Sequence, residues 1–124
     1  MRRPLIVACG LVVFTIAVPA LASFFDFEQI TVDNTSGGVT FSSAKITPTT
    51  GAPPMTFARC RARTAEMSFL TVDPAKTPVT ASVGQLIEPG DWIYIFGREE
   101  MLNFRAIRTT ATSGQLDCLY KDQP

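Results

Sequence analysis

Arg59, Arg61 and Arg63 stand at alternate positions in the run Phe57 to Ala65, with Ala58, Cys60 and Ala62 between and beside them. Period-two spacing puts the three guanidinium groups on one side of a strand, about 7 Å apart. Planar, permanently charged forks suit phosphate, carboxylate or lipopolysaccharide, which makes the stripe a candidate contact for an anion or an acidic partner. The competing reading is a solvated outer face, or an edge strand charged against aggregation. The charges neighbouring it in the sequence are not expected to extend the patch. Trp92, Tyr94 and Phe96 alternate in the same way and could stack sugars or bases. Trp92 to Phe96 is apolar on both faces, however, as expected of a central strand or one crossing between layers, and its aromatics are expected in the core.

Other chemistry is hard to assemble. The 124 residues contain no His, which removes the usual general base, the common nucleophile pairs and the commonest metal ligand. Asp26, Glu28 and Asp33 lack the order of a calcium loop, and strand placement separates Asp33 from the other two. Glu99 and Glu100 are adjacent, and a strand would point them to opposite faces, unlike a glycosidase pair. Neither a Gly-x-Ser-x-Gly elbow nor a Ser-x-x-Lys motif occurs. Gly84 and Gly90 read as backbone necessities, since no helix start follows either of them. The expectation is a protein that is not an enzyme, with no catalytic residue, no metal and no cofactor.

The first 22 residues read as an export signal. Met1-Arg2-Arg3 is positive, Leu5 to Val18 is apolar, and Pro19 precedes the small-x-small pattern Ala20-Leu21-Ala22. Cleavage is expected after Ala22, leaving a domain of residues 23–124. A retained membrane anchor is the alternative, and is the only membrane contact foreseen. Loss of Arg2 and Arg3 leaves nine basic against eleven acidic residues, a formal charge of −2. That balance offers no general basic field, so no nucleic-acid partner is expected.

Cys60 and Cys118 remain in the exported chain. An even count in an oxidising compartment points to one disulfide, with two buried thiols as the alternative. With no Cys-x-x-Cys and no His, neither reading implies catalysis.

Strand signals recur about every ten residues, broken by Gly, Pro, Asn and Asp. Strands are expected near Phe25 to Ile30, Val39 to Ile46, Phe57 to Ala65, Met67 to Val72, Val83-Gly84, Trp92 to Phe96, Asn103 to Thr109 and Leu116 to Tyr120. Leu116, Cys118 and Tyr120 share one side of the last. Thr47 to Pro54 is a proline-rich loop, and Arg98 to Phe104 has room for one helical turn. The fold expected is all-β: a single antiparallel sandwich of about seven or eight short strands, jelly-roll or immunoglobulin-like, preceded by the apolar signal helix.

The order of several segments resembles a group of small accessory proteins encoded in the structural-gene clusters of tailed bacteriophages. They are Phe27-Glu28-Gln29-Ile30-Thr31-Val32, Ala65-Glu66-Met67-Ser68-Phe69, Pro78 to Leu86, Pro89-Gly90-Asp91, Asn103 to Arg108 and Leu116 to Tyr120. The resemblance spans about Phe25 to Tyr120. It implies a compact β-sandwich without catalytic residues, placed in the virion as a capsid decoration, tail or head-accessory component. It transfers no site residues. The partner would be a protein or a repetitive lattice of capsid, tail or envelope, and a homo-oligomer would suit such a role. The export signal and the cysteine pair support a second expectation, a periplasmic or secreted β-sandwich that binds a ligand, glycan or envelope component.

Overall fold

The computed structural model describes residues 25–47 and 51–122. The signal segment, its cleavage point after Ala22 and part of the proline-rich loop lie outside the described residues.

Two antiparallel sheets make up most of the structure. In the larger, β1 (Phe25–Val32), β7 (Gly114–Lys121), β2 (Phe57–Arg63) and β5 (Trp92–Phe96) lie side by side in the order β1-β7-β2-β5. In the smaller, β3 (Met67–Leu70) is flanked by β4 (Gln85–Ile87) and β6 (Arg105–Arg108). Two short helices complete the elements, α1 (Ser43–Ile46) and α2 (Arg98–Asn103).

Alternation in the strands decides what the sheets share. Ile30 and Val32 of β1, Ala58, Cys60 and Ala62 of β2, Ile93 and Ile95 of β5, and Leu116, Cys118 and Tyr120 of β7 are all buried. They join Met67, Phe69, Ile87 and Ala106 of the smaller sheet in one apolar core, together with Phe41, Ile46, Met101 and Phe104 from the connections. Phe41 stacks on Phe104 with ring centres 4.0 Å apart and meets the edge of Tyr120 at 5.1 Å. Such burial is the main source of stability for a domain this small.

Cys60 and Cys118 occupy directly opposed positions of the β2–β7 ladder, fully buried, and form a disulfide. Ala62 exchanges main-chain hydrogen bonds with Gly90 and Asp91 beyond β5, so Cys60, two residues away, also turns its main chain toward β5. On its β7 side Cys60 therefore sits at a non-hydrogen-bonded position, where antiparallel strands approach most closely. The Cα atoms of the pair are 4.0 Å apart.

Two expectations are corrected. Val39 to Ile46 is not a strand: Val39 makes a single bridge to Ala106, and residues 43 to 46 form α1. Phe41 and Ile46 both enter the core, and five positions of strand would send them to opposite faces. One helical turn, in which the Ser42 carbonyl accepts from the amides of Lys45 and Ile46, brings both inward. The second correction concerns Trp92 to Phe96. It forms an edge strand, not a central one, and its isoleucines face the core while its aromatics face out.

The chain passes from the larger sheet to the smaller at Thr64, the one non-glycine residue with positive φ among the described residues (φ 75). The Ala65 amide donates to the Arg63 carbonyl across it, a tight three-residue turn. Gly84, before β4, has φ 142, and a Cβ there would sit 2.3 Å from Ser68 Oγ and 2.9 Å from the Phe69 carbonyl oxygen. Only glycine allows that approach.

Candidate functional site

The core-facing side of β2 is Ala58, Cys60 and Ala62, so strand geometry forces Arg59, Arg61 and Arg63 onto the opposite, outer side of the four-stranded sheet. The register then determines their company. Phe25, Lys121, Phe57 and Phe96 form one row across the four strands. Phe27, Leu119, Arg59 and Tyr94 form the next, followed by Gln29, Asp117, Arg61 and Trp92. Thr31, Gln115 and Arg63 close the face on three strands.

This face is aromatic to an unusual degree. Phe25, Phe27, Trp92, Tyr94 and Phe96 are 72%, 56%, 47%, 55% and 59% exposed. Phe57 fills the space beneath Phe96 and Tyr94, with ring centres 5.1 and 6.5 Å away, which stiffens that end. The aromatics expected in the core are therefore on the surface, and the stripe of arginines is bordered by aromatic rings, with β2 an internal strand rather than an edge. Exposed large apolar side chains gathered on one face, here at its two edges with the arginines between, mark an interaction surface.

The guanidinium carbons of Arg59 and Arg61 lie 5.1 and 5.6 Å from the centre of the Trp92 ring. At that range the cations are held by the electron-rich ring face. Arg63 instead pairs with Asp117, whose Oδ1 also accepts from Gln29 at 3.0 Å and Gln115 at 3.3 Å. Among the described residues Arg59 and Arg61 have no carboxylate partner. Both border a shallow groove of about 380 Å³, lined also by Phe27, Arg63, Trp92, Asp117 and Leu119. Two forks steadied on a ring and left without an anion can accept carboxylate or phosphate from outside.

Three acids that the sequence singled out, Asp26, Glu28 and Asp33, have partners within the fold. Asp26 pairs with Lys45 at 2.8 Å, and this contact holds its carboxyl below the usual carboxylate range. Glu28 accepts from the Tyr120 hydroxyl at 2.5 Å and from the Ser42 amide at 3.1 Å. Asp33 is lowered by hydrogen bonds from the Thr35 hydroxyl and amide in its turn. Glu99 and Glu100 stand in the first turn of α2. Among the described residues no group of three or more His, Cys, Asp or Glu is placed to hold a metal ion.

The contribution of Phe25 and Phe27 escaped sequence reasoning because β1 and β5 lie at opposite edges of one sheet, joined only through β7 and β2. One local signal was present. Ile93 and Ile95 alternate against Trp92, Tyr94 and Phe96, and a single inward face must choose one set. Comparison with protein-family models, curated proteins and solved structures finds no match.

Proposed function

We propose that the protein is a non-enzymatic interaction module, a β-sandwich whose two sheets enclose one core and whose outer four-stranded face docks on another protein. The carrying observation is the exposed set Phe25, Phe27, Trp92, Tyr94 and Phe96 around Arg59 and Arg61. Aromatic residues and arginine are the side chains enriched at the energetic centres of protein interfaces, where rigid rings contribute area at little entropic cost. The free guanidinium groups favour a partner surface that is acidic at the groove.

The buried Cys60–Cys118 bond supports an exported setting, in which the partner is an envelope or extracellular protein. A capsid or tail lattice is the second form of the same reading, and rests on the resemblance in segment order alone.

The test is a photo-cross-linking benzophenone amino acid placed at Phe27 on the outer face, and at the exposed Val72 beyond β3 as a control. Irradiation in the native source should yield an adduct with a second protein from position 27 and none from position 72. The identity of the adduct selects the envelope or the virion form. Adducts from position 72 alone, or from neither position, overturn the assignment of this face.

A further inference from the structure

The two edges of the larger sheet are unlike. β1 carries Asp26 and Glu28 on its core-facing side, and inward-pointing charge on an edge strand is a device that discourages pairing with another chain. β5, Trp92-Ile93-Tyr94-Ile95-Phe96, carries no charge, no proline and no lysine. Its flanking hydrogen bonds show which of its main-chain groups are committed. Asp91 and Gly97 bond to Ala62 and Thr56 on the β2 side, so by alternation Ile93 and Ile95 also face β2. Trp92, Tyr94 and Phe96 turn their amides and carbonyls to the other side, where no strand lies among the described residues.

We infer that this edge pairs with the same edge of a second copy, joining two four-stranded sheets into one of eight strands. The strand is nearly palindromic about Tyr94. In an antiparallel pairing centred there, Tyr94 faces its counterpart, and Trp92 and Phe96 face each other twice. All three residues present their main-chain groups outward, so all three opposed pairs are hydrogen-bonded ones, and every free group on the strand is satisfied. On the outer face each opposed pair is aromatic on aromatic, the kind of cross-strand contact that stabilises a ribbon.

Charge also selects this geometry over its rival. Stacking two outer faces would set the Arg59, Arg61 and Arg63 stripe of one copy against that of the other. Edge pairing leaves the two β2 strands three strand spacings apart, about 14 Å, beyond the screening length of roughly 8 Å at physiological salt. The product is a doubled outer face with two arginine grooves. This dimer does not depend on the identity of the partner proposed above. A single shared strand buries little area, which places the contact at the weak end of specific interfaces.

The test is sedimentation equilibrium of the oxidised protein over a wide concentration range, with two charge variants. Wild type should show a monomer–dimer equilibrium. Tyr94→Lys and Tyr94→Glu, at an exposed outward position, should each be monomeric because like charges meet at the two-fold axis. An equimolar mixture of the two should dimerise again, since Lys then faces Glu. A wild type that stays monomeric overturns the inference, as does a Tyr94→Lys variant that dimerises unchanged or a mixture that fails to recover. Retained thermal melting of each variant excludes unfolding as the cause.

Discussion

The Tyr120 hydroxyl donates to the Glu28 carboxylate at 2.5 Å, from the fully buried side of β7 to the inner side of β1. Because Glu28 also accepts from the Ser42 amide at 3.1 Å, the pair ties the edge strand, its neighbour and the start of α1 together. Tyr120 in turn supports the Phe41 ring, so this one hydrogen bond orders one side of the core.

Tyr120→Phe should therefore lower stability by about 1.5–3 kcal/mol, the usual worth of a hydrogen bond to a charged group. Burial first, and the Glu28 carboxylate second, raise the Tyr120 hydroxyl above its ordinary value of 10.0. A raised acid contributes stability that is intact below the unfolded-state value and is lost as pH climbs above it. Wild type should thus lose melting temperature more steeply above about pH 10 than Tyr120→Phe does. Parallel pH profiles for the two proteins would show that Tyr120 does not ionise on unfolding.

The Cys60–Cys118 bond spans 58 residues of chain, and loop-closure entropy assigns such a link about 4 kcal/mol. Replacing both cysteines with Ala should reduce stability in oxidising buffer by an amount in the 2–5 kcal/mol range. In reductant, wild type should fall to nearly the same level. Chemical denaturation of both proteins in both buffers makes the comparison, and an equal gap in the two buffers would assign the cost to packing rather than to the covalent link.

Thr64 holds φ 75, a conformation that a β-branched residue adopts at a cost of roughly 1–3 kcal/mol. Thr64→Gly should raise stability by about 0.5–1 kcal/mol once the extra freedom of glycine in the unfolded chain is subtracted. For a domain of this size that is a rise of a few degrees in melting temperature. Thr64→Val keeps the β-branch and should bring no gain.

The outer face should separate binding from folding. Phe27→Ser and Arg61→Ser touch exposed or half-free side chains, and each should alter stability by no more than about 0.5 kcal/mol. Partner adducts, read with the benzophenone at the exposed Phe25 in these backgrounds, should fall strongly. A large loss of stability in either variant would mean the face is structural.

Much of this protein follows from local pattern alone. Strict alternation assigned the faces of β2 and β7, and with them the outward arginines and the inward cysteines, because a pleated strand leaves each side chain only two directions. The six-residue helix α2 falls in the stretch Arg98 to Phe104 that had room for a helical turn. The strand foreseen at Val39 to Ile46 failed where two core side chains five positions apart had to point the same way.

What only the tertiary structure decided is which strand lies at an edge and which of two apolar faces turns inward. In β5 both faces are apolar, and a period of two cannot rank isoleucine against tryptophan as the buried set. The core made that choice through the register with Ala58 and Cys60, which fits Ile95 and Ile93 against small neighbours and leaves the larger rings outside. Strand order then set those rings beside the arginines of β2, and brought Phe25 and Phe27 onto the same face from the far edge. Long-range pairing assembles such a surface, and local sequence carries no record of which strands will be neighbours.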